Sequence, residues 1–264
     1  LLEAADVRFA YRHDRRGPNG VAAPYVLDDV TVHVPPRAVV GVLGPNGSGK
    51  TTLLRLMSGA LAPLSGRVRL DGVDVTAIPR RQIAQRLAVV PQETTLAFDY
   101  SALEIVLMGR YPHLRAFEME GARDLEAAHA ALRATGTEPL ADRPFRTLSG
   151  GEKQRVVIAS ALAQLDGAPA DRAAFLLLDE PTASLDLHYQ IEVASLLTRL
   201  HEARGITILI STHDLRLAAA LCTDVVLLSR GRVLGRGRPA EVLTPASIAS
   251  VFEVSEARVR EHLR

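Results

Sequence analysis

The sequence predicts an α/β domain with a mostly parallel central sheet, and three observations predict it. First, the apolar runs at residues 39–43, 175–178 and 206–210, the last broken only by Thr207, have the look of strands buried on both faces. Second, each run ends in polar residues suited to chemistry, as expected at the carboxyl edge of such a sheet, where ligands sit. Third, the first run enters a glycine loop that leads directly into a helical pattern at residues 52–57. At 264 residues the chain is long enough for one large domain or two small ones with a sizeable core.

Residues 1–10 alternate around Val7 and Phe9 and read as an edge strand. Tyr11 follows. The charged, turn-rich segment 12–20 reads as an exposed, solvated hairpin loop, with contact to an anionic partner the lesser alternative. A strand pattern resumes at residues 26–34 and stops at Pro35 and Pro36.

Gly44, Pro45, Asn46, Gly47, Ser48, Gly49, Lys50 and Thr51 then fit G-x-x-x-x-G-K-[ST], the phosphate-cradling loop. Its glycines let the backbone turn tightly and bring N–H groups close to a polyphosphate. The helix starting near Lys50 points its positive end at the same anion. Lys50 would reach the β and γ phosphates, and the Thr51 hydroxyl would ligate Mg²⁺. The bland alternative, a glycine-rich turn with a surface lysine, does not explain the strand before it or the helix after it.

A short strand at residues 65–72 and a short helix at 79–87 come next, then a buried strand at 87–91 with Gln92 directly behind it. From about 101 to 140 the pattern is helical, at 102–109 and 120–135, punctuated by Pro112 and Pro139. It reads as a small helical insert. Residues 148–155 open another helix, whose start at Ser149, Gly150, Gly151 and Glu152 is flexible and rich in donors, a second anion-binding start. After a loop at 166–171, the strand 175–178 ends in Asp179 and Glu180, and the strand 206–210 ends in Ser211, Thr212 and His213. Residues 225–228 and 232–234 close the sheet, and 240–263 form a helical tail.

Composition narrows the function classes. Apolar residues make up 47% and charged residues 23%, ordinary for a globular protein, and the net charge of +1 provides no field for holding DNA, RNA or an anionic membrane. The single cysteine, Cys222, excludes an internal disulfide, suits a reducing compartment and reads as a small core residue. The eight histidines are scattered without a zinc-type spacing. No apolar run approaches the roughly 20 residues of a membrane span, and no signal core is present at the start.

Phosphoryl transfer to water needs positioning and charge neutralisation more than covalent chemistry. Asp179 would hold Mg²⁺, Glu180 would orient or deprotonate the attacking water, Gln92 could reach either through its amide oxygen, and His213 could bond the γ-phosphate. Alone, the acidic pair could simply start a loop at Pro181, and a lone glutamine or histidine is more often structural. The phosphate loop upstream favours the functional reading.

These residues resemble, over almost the whole length, the nucleotide-binding subunit of ABC transporters. The phosphate loop, Gln92, Leu148-Ser-Gly-Gly-Glu152 with Gln154-Arg155 behind it, the strand ending in Asp179-Glu180, Ser184-Leu-Asp186 and His213 stand in that family's order and spacing. The resemblance implies a P-loop NTPase (RecA-like) core with an antiparallel β subdomain at 1–92 and 148–238, an inserted α-helical subdomain at 93–147 and a C-terminal tail at 239–264. It implies that Tyr11, or less well Tyr25, stacks on adenine. ATP would contact the phosphate loop and Thr52, with Mg²⁺ at Thr51, Gln92 and Asp179, and Glu180, His213, Gln92 and Lys50 as the catalytic set. It also implies a head-to-tail homodimer in which ATP lies between the phosphate loop of one copy and Ser149–Glu152 of the other, with Asp186 crossing the interface.

Such a subunit would sit on the cytoplasmic face of the inner membrane. Two membrane-spanning permease subunits would dock at the helical subdomain, a groove beside Gln92 taking a short helix from each, and a substrate-binding protein would act indirectly. The segment 106–113 and the tail pattern 231–243 resemble importers of iron-siderophores, haem and cobalamin, haem slightly favoured. The alternatives are a soluble relative acting on nucleic acid or ribosomes, for which no basic stripe is present, and an exporter subunit.

Overall fold

The computed structural model describes residues 1–11, 25–94, 98–169 and 171–262. The expected hairpin loop at 12–20 lies outside the described residues. The chain divides into two compact units, Leu1–Ile78 with Ile208–Arg264, and Pro79–Thr207.

The first unit carries a four-stranded antiparallel sheet in the order β2-β1-β4-β5, with β1 at Leu2–Phe9, β2 at Leu27–Val34, β4 at Ser65–Leu70 and β5 at Val73–Asp74. The expectation of an edge strand at the N-terminus is corrected here: β1 pairs with β2 on one side and β4 on the other. Alternation reveals that one face is solvated, which an interior strand of an antiparallel sheet also shows, and it carries no information about neighbours. The buried face presents Leu2, Val7, Val30, Val32, Val68 and Leu70. The same unit contains β3 (Val39–Leu43), which pairs in parallel with β8 (Thr207–Thr212) and with β9 (Asp224–Ser229). β10 (Arg232–Gly237) returns antiparallel on β9. All five residues of β3 are buried, which explains its unbroken apolar run.

Helix α1 (Lys50–Met57) leaves β3 through the glycine loop and packs its apolar residues toward β1 and β4. Helix α7 (Leu215–Leu221) lies on β3 and ends at Cys222, which is buried; burial pushes its thiol up to about 12, and Asp224 nearby adds to the effect. The tail folds as three short helices, α8 (Pro239–Val242), α9 (Pro245–Phe252) and α10 (Glu256–His262).

The second unit is organised around α5 (Gly150–Leu165), sixteen residues long. Against it lie α3 (Ala102–Met108), α4 (Ala122–Ala134) and the strand β6 (Leu87–Val90), which pairs in parallel with β7 (Phe175–Asp179). Helix α2 (Arg80–Ala84) precedes β6, and α6 (Leu187–Arg204) follows β7. Ser101 and Glu104 form a capping box that starts α3. The turn after α3 is fixed by Arg110, which is buried. Its Nε donates to Asp124 Oδ1 at 3.0 Å, and its Nη1 donates to the carbonyls of Ala163 at 2.7 Å and Asp166 at 2.8 Å. One guanidinium thus joins the end of α3, the start of α4 and the end of α5.

Candidate functional site

The phosphate loop is built entirely in the first unit. β3 delivers Gly44 at a buried strand end, and the turn continues with Ser48 N–H donating to the Pro45 carbonyl at 3.2 Å. Gly47 and Gly49 hold φ of 79° and 105°. At Gly49 a side chain is excluded twice over, because a Cβ would lie 2.6 Å from Leu27 Cδ2 and 3.0 Å from the Val26 carbonyl, in a left-handed backbone. Gly49 is also the N-cap of α1, with no side chain capping it, so the helix start keeps its backbone donors. Lys50 is buried, and its Nζ donates to the carbonyls of Gly44 at 2.9 Å and Pro45 at 3.1 Å. The ammonium is therefore folded back over the mouth of the loop. Ser48 Oγ is buried beside it and meets no hydrogen-bond partner among the described residues.

A cradle of this kind, with a buried cation and open N–H groups, fits a polyphosphate. Tyr11 is placed at the same helix: its hydroxyl lies 3.3 Å from Thr52 Oγ1, and its ring meets Phe9 edge-on. Tyr25 is exposed. His213 is exposed just past β8 and precedes Asp214, whose carboxylate accepts the N–H groups of Arg216 and Leu217 and so starts α7.

The remaining expected residues fall in the second unit. Asp179 is buried at the end of β7, and Glu180, the next residue, takes a left-handed φ of 45°. Such a conformation in a residue other than glycine costs about 1–3 kcal/mol and concentrates at working sites. Gln92 is exposed two residues past β6. Glu180 and Gln92 line one cavity of about 270 Å³, together with Gly150 and Gln154 of α5 and Ser184 and Leu185. Asp186 accepts the Tyr189 N–H at 3.1 Å and caps α6.

Ser149–Glu152 begins α5 with a reciprocal capping box. Ser149 Oγ accepts the Glu152 N–H at 3.3 Å, and Glu152 Oε2 accepts the Ser149 N–H at 2.7 Å. That bond from the Ser149 backbone holds the Glu152 carboxyl below the usual carboxylate range. The expected flexible, donor-rich start is thus a fixed one with two of its donors in use. At Gly151 packing excludes a side chain, since a Cβ there would lie 2.1 Å from the Tyr189 ring. Sequence reasoning missed Tyr189 and the contacts of Arg155, whose guanidinium lies 5.9 Å over that ring and pairs with Glu192. Their contacts span more than thirty residues of chain, and no local spacing announces them.

Thr51, Gln92 and Asp179 each carry an oxygen donor of the kind that a hard cation takes. Among the described residues no cluster of three or more His, Cys, Asp or Glu could cage a metal.

Residues 27–183 match the family described as ABC transporter, more than half of the chain. This chain belongs to the ABC transporter family. Among its relatives, the hemin import ATP-binding protein HmuV of Myxococcus xanthus is 46% identical over 226 residues, covering 86% of this chain and 84% of the relative. The protein of that name in Pseudomonas entomophila is 44% identical over 230 residues, with 87% of each covered. The cobalamin import ATP-binding protein BtuD of Halobacterium salinarum is 40% identical over 237 residues, 90% of this chain and 57% of that protein.

Among solved structures, a metal-chelate type ABC transporter in an inward-facing conformation superposes with a TM-score of 0.79 at 30% identity, covering 96% of this chain and 88% of the other. A bacterial ABC transporter cassette solved as a dimer gives 0.75 at 26% identity, covering 90% and 99%. The α/β fold of an ABC ATPase, expected from the motifs, is borne out. So is the ATP-binding and ATP-hydrolysing importer subunit, while the nucleic-acid and exporter alternatives are not favoured. Among the described residues no helix is long and apolar enough to cross a membrane.

Proposed function

We propose that this chain drives uptake of haem, or of a related iron or corrinoid chelate, by closing as an ATP-bound homodimer beneath two separate permease subunits. One observation carries the reading. A single copy holds a built phosphate cradle at Gly44–Thr51 and, in its other unit, a second glycine-led helix start at Ser149–Glu152. Two starts per copy are surplus unless two copies share two nucleotides head to tail, an isologous arrangement. The relatives named for hemin import support the cargo, and the cassette solved as a dimer supports the assembly.

In this reading the loop N–H groups and Lys50 hold the phosphates, and Tyr11 stacks on adenine. Ser149, Gly150, Gly151 and Glu152 of one copy cover the nucleotide bound by the other, and Asp186 crosses between them. Mg²⁺ is assigned to Thr51, Gln92 and Asp179, an assignment that rests on the order of the motifs along the chain; when bound it neutralises phosphate charge. Glu180 accepts a hydrogen bond from the attacking water, and His213 contacts the γ-phosphate. ATP favours the closed dimer and hydrolysis removes that preference.

The permeases dock on the helical region, where Tyr111, Phe117 and Met119 stand exposed, with the chain on the cytoplasmic face of the membrane. The test is Glu180→Gln. It is expected to bind ATP as the wild type does, to lose turnover by about 100-fold or more, and to persist as a dimer on size exclusion with ATP. Turnover equal to wild type would remove Glu180 from the mechanism.

A further inference from the structure

The cavity in the second unit is lined in part by Gln154, whose amide donor meets no acceptor among the described residues. One wall is α5, with Gly150, Lys153 and Gln154; another is the segment after β7, with Glu180, Ser184 and Leu185. Gln154 Nε2 is buried and meets no acceptor among the described residues. A buried amide left in that state costs about 1–3 kcal/mol, and such groups are few in folded proteins. The segment facing it is tied on its other side. Gln190 of α6 donates Nε2 to the Leu185 carbonyl at 2.9 Å and to the Thr182 carbonyl at 3.4 Å. Asp186 holds the start of the same helix, and Glu180 leaves β7 with a strained left-handed backbone. The segment from Glu180 to Asp186 is therefore moored to α6, while an unused donor waits on α5.

We propose that Gln154 is a positioning residue for this segment. When the cavity narrows in the ATP-bound dimer, its amide N–H gains an acceptor from residues 180–185. The segment is then held from both sides, which fixes the Glu180 carboxylate and Asp186 in their working places. The proposal rests on the ATPase reading above. A bond made only in the closed dimer strengthens the reacting state and leaves the first binding of ATP unchanged.

Two variants test it, both measured for ATP turnover and, without nucleotide, for their urea midpoints. Gln154→Met keeps the length of the side chain and removes its polarity. Gln154→Glu keeps the shape and an oxygen but removes both N–H groups. Each is expected to lower kcat about five- to tenfold at unchanged KM, the size of one hydrogen bond. The nucleotide-free Gln154→Met chain is expected to be at least as stable as wild type, because the orphaned donor is gone. Wild-type kcat in either variant overturns the proposal. So does a Gln154→Met chain that is less stable without nucleotide and raised in KM, which is the pattern of ordinary packing. A wild-type chain that does not turn over ATP would instead overturn the ATPase reading, and the proposal with it.

Discussion

Glu152 shows how a single residue of the signature does structural work before any ligand arrives. Its carboxylate accepts the Ser149 N–H and lies at the positive end of α5, so both contacts favour the ionised form. Because its folded pKa is depressed, the stability it adds is complete above the ordinary carboxylate pKa of about 4.3 and is lost as pH falls through the lower folded value. Gln in its place still caps but carries no charge. Glu152→Gln is therefore expected to be less stable than wild type by about 0.5–1 kcal/mol at pH 7, with the gap closing in acid, as urea midpoints across pH would record. At this scale the sequence was informative where chemistry is local: Lys50 and Gly49 follow from spacing alone. Gly151 was not legible as a packing residue, because the ring that excludes its Cβ belongs to Tyr189, in a different helix.

Among the elements, the helical region has the firmest internal tie and the least readable one. Residues 106–113 resemble chelate importers in sequence, yet the structure turns Arg110 and the Pro112 carbonyl of this segment inward while Tyr111 stays exposed. Arg110 reaches Asp124, Ala163 and Asp166, while the Pro112 carbonyl accepts from both Arg81 and Gln85 of the α2 region. None of these partners is within helical reach in sequence, so the pattern could signal the segment and not its purpose. At Asp124 burial opposes ionisation, but the Gly121 N–H and Arg110 outweigh it and hold its pKa down. Removing the carboxylate strands a buried guanidinium. Asp124→Ala is expected to cost about 3 kcal/mol in urea unfolding, and Asp124→Asn, which keeps an acceptor, about half of that. The strands tell a related story. Their faces and lengths were legible from period and burial, whereas the interior place of β1 depends on pairings with residues up to about seventy positions away.

For the molecule as a whole, the decisive property is that the proposed reaction needs two copies. A bulky cation at the start of α5 should separate binding from assembly, since the phosphate loop of the same copy is untouched. Ser149→Arg is expected to bind ATP with near wild-type affinity by calorimetry and to fail to dimerise with ATP on size exclusion. ATP-driven dimers of that variant would contradict the shared-nucleotide arrangement. The sole cysteine offers an independent gauge of the first unit. Cys222 is sealed against β3, where a Cβ on Gly41 would sit 2.8 Å from its sulfur, and its thiol is kept protonated at neutral pH. A maleimide dye therefore has nothing to attack until that strand and helix part, and the colour it leaves behind is a clock on their opening. Saturating ATP, gripped by the loop that β3 feeds, should slow the clock by about the factor 1 + [ATP]/Kd when opening releases the nucleotide. Unchanged labelling would mean that the grip and the sealed thiol belong to regions that breathe separately.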